Sequence, residues 1–327
     1  MAQNIPYKLP SVTHTRNKKM RKVGFELEFT GLDLNQTTAV VEQVFSGKRT
    51  SASPAACVVS VQELGDFAIE LDWHFLKKIA LQQNRVKSGD WLDLLSQAAA
   101  LLVPMEVVCP PIAVSDLDRL DPLVRELRRA GARGTEDSMI AAYGVHINTE
   151  VPHLDASCLA GYLRAFSLLQ WWLVDAHQVD FARRISPFVD LYPEAYLKQL
   201  FSRTAPGQNQ ISDDYFQHNA SRNRALDLLP LFAHMNADQV RRAVSDTKIK
   251  ARPAFHYRLP NCQIDKPDWC LALPWNTWWV VEELAQRPDD LQDLGQQFLA
   301  MHRPLLGVSR NDWTALMSRW LQDHALA

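Results

Sequence analysis

The sequence predicts an α+β protein with an antiparallel or mixed sheet, covered on one side by helices, and a large helical insertion before the last strand. Three observations carry this. Several segments alternate apolar and polar residues with a period of two, most clearly residues 22–30, 67–73 and 142–151. From Ala156 to about Asp246 the spacing changes to three and four, as in Leu159, Tyr162, Leu163, Phe166, Leu169 and Leu173. A late strand, residues 254–259, follows that block. Strands first, then helices, then one more strand do not make a regular βαβ alternation.

In order along the chain, residues 1–21 read as an irregular tail, and the basic run 16–22 as a solvated segment. In residues 22–30, Val23, Phe25, Leu27 and Phe29 face one way and Gly24, Glu26, Glu28 and Thr30 the other. Asn35 is the expected N-cap of a helix through Phe45. Residues 46–56 read as a loop, and residues 57–62 and 67–73 as a hairpin around Gly65-Asp66. Asp90 is the expected cap of a helix to about Val103, and residues 105–109 form a short strand stopped by Pro110-Pro111. A helix near 115–130 precedes the strand at 142–151. A polar loop, residues 202–214, interrupts the helical block, and C-terminal helices (about 275–325) start near Trp275, Pro288 and Asn311. Residues 22–327 read as a single domain.

Of 327 residues, 47% are hydrophobic and 22% charged, enough to bury a large core. The formal charge of -2, with no domain-sized basic stretch, argues against nucleic acid as a partner. Five cysteines, none spaced C-x-x-C, argue against a disulfide framework and a structural zinc site. The N-terminus has no apolar signal core, and the most apolar helical stretch, 159–174, is interrupted by Arg164 and Gln170. The expectation is a soluble, reduced, cytoplasmic protein with no membrane partner. Nothing here indicates an oligomeric state.

The period-two segments also place chemistry. Glu26 and Glu28 are two apart and share a strand face, as do Glu70 with Asp72, His146 with Asn148, and His256 with Arg258. Glu106 is out of phase with Met105 and Val107. If these strands share a sheet, its polar face collects five carboxylates, whose repulsion across strands is costly. Bound divalent cations offset that cost most directly, Mg²⁺ being a hard ion that takes oxygen ligands. A single Glu-x-Glu strand is more simply a solvent face; four strands with the same bias indicate a site.

No G-x-x-x-x-G-K-[ST], G-x-G-x-x-G, H-E-x-x-H or G-x-S-x-G motif is present, so a nucleotide would bind through metal ions and arginines. Arg203, Arg222, Arg224 and Arg252 are candidates for phosphate. Residues 221–232 look like a helix start with its arginines exposed, which favours surface or capping roles over phosphate binding.

GFELEF (24–29), IELDW (69–73), MEVVCPPI (105–112), YGVHIN (143–148) and FHYRLPN (255–261) come in the order of the amidoligases, and over roughly residues 20–290 the chain resembles that family. The resemblance implies a glutamine synthetase and glutamate–cysteine ligase-like catalytic domain with an acidic concave sheet face. It implies an ATP- and Mg-dependent enzyme joining a small-molecule or peptide carboxylate to an amine through an acyl phosphate. Glu26, Glu28 and Glu106 are the implied metal ligands, with Asp72 and His256 as further candidates. His146 and Arg258 are the implied phosphate contacts; Asn148, on the strand face of His146, and Arg224 are further candidates for the nucleotide. His146 and Arg258 would stabilise the transferring phosphoryl group, and Glu70 or Asp72 would accept the amine proton. Related ligases often carry a glutamate where this chain has His256, so that residue replaces a ligand, marks a weak or missing metal site, or is a histidine satisfied by hydrogen bonds on the sheet face. A phosphotransferase of the guanidino-kinase type, a degenerate, non-catalytic binding protein and, third, a metal-dependent hydrolase active without ATP are the alternatives.

Overall fold

The structure, a computed structural model, describes residues 5–71, 104–135, 143–184, 189–246 and 248–327. Among these residues, nine strands form one sheet: β1 (Lys22–Phe29), β2 (Lys48–Ala52), β3 (Ala56–Val61), β4 (Gly65–Leu71), β5 (Met105–Val108), β6 (Ile112–Ala113), β7 (Val145–Thr149), β8 (Leu226–Asp227) and β9 (His256–Tyr257). Their order is β2-β3-β4-β5-β1-β7-β9-β8, with β6 also beside β1. Every pairing among them is antiparallel. The helices are α1 (Leu34–Phe45), α2 (Asp121–Ala130), α3 (Ala156–Ala176), α4 (Phe181–Arg184), α5 (Glu194–Ser202), α6 (Gln208–Asn219), α7 (Leu229–Met235), α8 (Ala237–Ala243), α9 (Ala272–Leu284), α10 (Pro288–Met301) and α11 (Arg310–Asp323).

The two-residue period sets the architecture. Val23, Phe25, Leu27 and Phe29 of β1 are fully buried, as are Ile147 of β7 and Tyr257 of β9, which face each other across the pairing. Helices cover this apolar face. Phe45 of α1 stacks on Phe67 of β4 at 4.9 Å. At the other end, Phe166 of α3 and Trp278 of α9 pack on Tyr257. The opposite face carries the acids and histidines. No helix among the described residues is long and apolar enough to cross a membrane.

Several local expectations need correction. The cap of α1 is Asp33, not Asn35: its carboxylate accepts the Gln36 N–H at 2.8 Å while the Gln36 side chain accepts the Asp33 N–H at 2.9 Å, a reciprocal capping box. The supposed loop at 46–56 contains β2, whose residues are all exposed. An edge strand pairs on one side only, so it needs no apolar alternation to form. Helix α6 begins inside the supposed polar loop 202–214. The late strand shrinks to the two residues of β9. Residues 221–232 hold the two-residue β8 before α7 begins. The irregular tail is held down: the Trp275 and Trp279 indoles donate to the Lys8 and Leu9 carbonyls, and Arg21 of the basic run is fully buried rather than solvated. Asp72, Trp73 and the Asp90 helix lie outside the described residues.

Candidate metal and phosphate site

Strand register assembles the polar face. Glu28 of β1 lies opposite Glu106 of β5, and Glu106 lies opposite Glu70 of β4, so three glutamates form one row across three strands. One step along, Glu26 lies opposite His146 of β7 and Gly24 opposite Asn148. Farther out, Asp227 of β8 lies opposite His256 of β9. Directly paired residues project to the same side, so all of these belong to one face. The face is not uniformly acidic. Toward β7 and β9 it carries imidazoles, an amide and arginines.

Glu26 is buried at 7% exposure and saturated with donors. His146 Nδ1 lies 2.7 Å from Oε2, Asn148 Nδ2 donates to Oε1 at 2.8 Å, and Arg252 Nη1 stands 3.4 Å from Oε1. Burial alone would push the carboxyl upward, but the N–H groups of His256 and His146 overcome it and hold the group well below the ordinary carboxylate range. Glu26 is therefore an anion at neutral pH.

Glu28 is more open. Its Oε2 accepts the Gly144 backbone N–H at 2.7 Å and lies 4.0 Å from Arg183 Nη1, while its Oε1 lies 3.4 Å from His146 Nε2. Arg183, on α4, also donates to the Arg258 carbonyl at 2.5 Å. A Cβ on Gly144 would collide with this guanidinium, which gives that glycine a steric reason. Ligand atoms of Glu28, Glu106 and His146 lie within 4.8 Å of one another. A second such group, Glu26, His146 and His256, shares His146.

His256 sits between charges. Arg252 Nη2 and Arg258 Nη2 both point at its Nδ1, at 2.9 and 3.1 Å. Its Nε2 lies 3.4 Å from His146 Nδ1 and 3.6 Å from Glu26 Oε2. Burial, reinforced by the Arg258 charge, pushes this ring well below the ordinary histidine range. Asp227 is fully buried; burial pushes it up to about 6 despite Arg258 Nη2 at 3.6 Å and the Leu229 N–H donating to Oδ1 at 2.9 Å. Among the described residues, Asp227 Oδ2, Asn148 Oδ1 and the Nε atoms of Arg252 and Arg258 find no hydrogen-bond partner. Part of the polar demand of this cluster is therefore unmet by these residues.

The structure thus gathers Glu26, Glu28, Glu106, His146, Asn148, His256 and Arg258 at one place, with Glu70 in the same row. Arg224 is spent elsewhere, donating to the Leu191 and His218 carbonyls. Arg203 pairs with Asp214 at 3.0 Å and Arg222 with Asp246 at 3.5 Å. Of those four arginines, Arg252 is the one that reaches the cluster. Sequence reasoning missed Asp227 and Arg183. A lone acid in the apolar run LDLLPLF was the available signal for Asp227; Arg183 offered none.

A family model described as "Putative amidoligase enzyme" matches residues 19–280. The match covers most of the chain, and the protein belongs to that family. Membership implies ligase-type enzymatic chemistry on small molecules. No curated protein and no solved structure gives a significant match.

Proposed function

We propose that this protein is a cytoplasmic ATP- and magnesium-dependent ligase joining a carboxylate, on a small molecule or peptide, to an amine through an acyl phosphate. In this reading residues 22–327 form one catalytic domain of glutamine synthetase-like design. The observation that carries it is the convergence of Glu28, Glu106 and His146 on the open face of the sheet, with guanidinium groups beside them. The donor set fits a divalent cation. With Nδ1–H given to Glu26, the neutral form of His146 has its lone pair at Nε2, 3.4 Å from Glu28 Oε1, so that a cation could be held between the two.

Magnesium bound there would neutralise triphosphate charge. The chain's own part is positioning. Arg258 and Arg252 present hydrogen-bond donors at the edge of the cluster, suited to phosphoryl oxygens as charge builds on them. In this reading Glu70, next to Glu106 in the row, or Asp72 takes the proton that the amine must shed. In balance, the carboxylate oxygen takes the terminal phosphoryl group and ADP leaves. The amine nitrogen then bonds to the carbonyl carbon as inorganic phosphate departs with the C–O electrons.

Two measurements test this. Calorimetric titration should show ATP binding weakened by excess chelator, because carboxylates repel phosphates unless neutralised; equal affinity without metal removes the metal bridge from the reading. A panel of carboxylates scored by ADP release should show turnover that needs an amine. Release that never needs one makes the protein a kinase or an ATPase instead.

A further inference from the structure

The polar face offers two groups of ligand-type side chains, and they are not equivalent. We infer that the Glu26–His146–His256 group is an internal hydrogen-bonded support and that the protein holds a single divalent cation, between Glu28, Glu106 and His146. The inference rests on the ligase reading for the presence of a cation; which residues take it is argued from hydrogen positions.

A guanidinium has donors only. Two of them aim at His256 Nδ1, at 2.9 and 3.1 Å, so that nitrogen must carry the lone pair. The ring proton then sits on Nε2, the nitrogen that faces Glu26 and His146. A protonated Nε2 is a donor to Glu26 and not a metal ligand. His146 is spent on this side as well, because its Nδ1 lies 2.7 Å from Glu26 Oε2 and that contact needs a proton on the nitrogen. Glu26 itself has both oxygens engaged, Oε1 by Asn148 and Arg252, Oε2 by His146. A cation entering this group would displace those protons with one carboxylate in hand and two arginines alongside.

The same hydrogens prepare the other group. By holding Nδ1–H of His146, Glu26 leaves the Nε2 lone pair directed at Glu28, in the arrangement where a carboxylate orients a metal-binding imidazole from behind. Glu26 is then a positioning residue. Histidine has one lone pair and one proton, so satisfying the arginines uses the nitrogen that would otherwise be free.

The test is a manganese titration of the intact protein without nucleotide, counting bound Mn²⁺ by electron paramagnetic resonance. One tight ion per chain is expected. Glu28→Gln and Glu106→Gln should abolish it, and His256→Asn should leave the count at one. Glu26→Ala should weaken it by about 10- to 100-fold, and Glu26→Gln, which keeps an acceptor for His146, by less. Nitrogen-15 spectra of the imidazoles provide a readout that a structural role would not move: a bare Nδ1 in His256. Two ions per chain, one of them lost in His256→Asn, would overturn this assignment while leaving the ligase reading intact. A bare Nε2 in His256 would overturn it too. No bound manganese at all would remove the single site and the metal dependence of the proposed function together.

Discussion

Among the described residues, one charge cluster on each side of the sheet invites comparison, and the two are built to different standards. Just ahead of β1, in the layer of α3 and α9, Arg21 and Glu282 are both almost wholly excluded from solvent. Arg21 donates to both Glu282 oxygens, at 2.8 and 3.0 Å, and to the carbonyls of Val12 and Glu150. Glu282 also accepts from the Tyr162 hydroxyl at 2.5 Å and the Trp278 indole at 3.0 Å. One cation meets one anion, and the surrounding donors and acceptors complete both. On the polar face, by contrast, arginines, histidines and acids crowd together with several buried atoms unmet and key contacts stretched to 3.4–3.6 Å. A completed cluster can be justified by the fold alone. An incomplete one points to something bound during function.

The largest expected effect breaks the completed cluster. Glu282→Ala leaves Arg21 buried without its counter-charge and should cost about 3–5 kcal/mol of unfolding free energy in denaturant titrations. An unchanged midpoint would mean that Arg21 escapes to water and that the pair is not what holds the tail against α9.

Next in size comes the site, where the loss should appear in turnover rather than in stability. Arg258→Lys keeps the charge but not the planar pair of donors, and should lower amine-dependent ADP release by about 10²–10³-fold with little change in melting temperature. Glu28→Gln retains an acceptor for the Gly144 N–H and should likewise keep the fold while losing activity. A clear drop in stability for either variant would erase the distinction between the clusters.

The smallest effect is a pH dependence at Asp227. Its pKa is about 6 in the folded protein, against roughly 3.9 unfolded. Between those values the folded state holds a proton that the unfolded chain has lost. Stability from this residue is therefore present below pH ~4 and lost as pH rises through about 6, a total of about 3 kcal/mol. Asp227→Asn should flatten that part of the pH–stability curve and leave the protein no less stable at pH 7. If the curve keeps its slope, another buried acid is responsible.

What could be read without coordinates follows from local periodicity. A strand turns alternate side chains to opposite faces whatever its neighbours do. The pairings Glu26 with Glu28, His146 with Asn148 and His256 with Arg258 were therefore legible, as was the long amphipathic α3. Short elements with weak patterns were not: β2 has no apolar side, and β8 is two residues in a stretch that reads as a helix start. Capping was misread by two residues because Asn35 and Asp33 are both good caps, and the reciprocal Gln36 bond decides between them.

The sequence by itself determined that these strands would each show water, or a ligand, an acidic or imidazole side. Only the tertiary structure decided which groups meet. Register sets Glu28 against Glu106 and Glu26 against His146, while Arg252 reaches Glu26 from 226 residues away. Arg183 enters from a short helix with no motif, and Arg21 is drawn from a basic run into the core by Glu282. Such meetings depend on loop closure and on the pairing of distant strands, which no local period encodes. The proton on His256 is the sharpest instance: a single ring carries both choices, and two arginines brought to Nδ1 by the fold select between them.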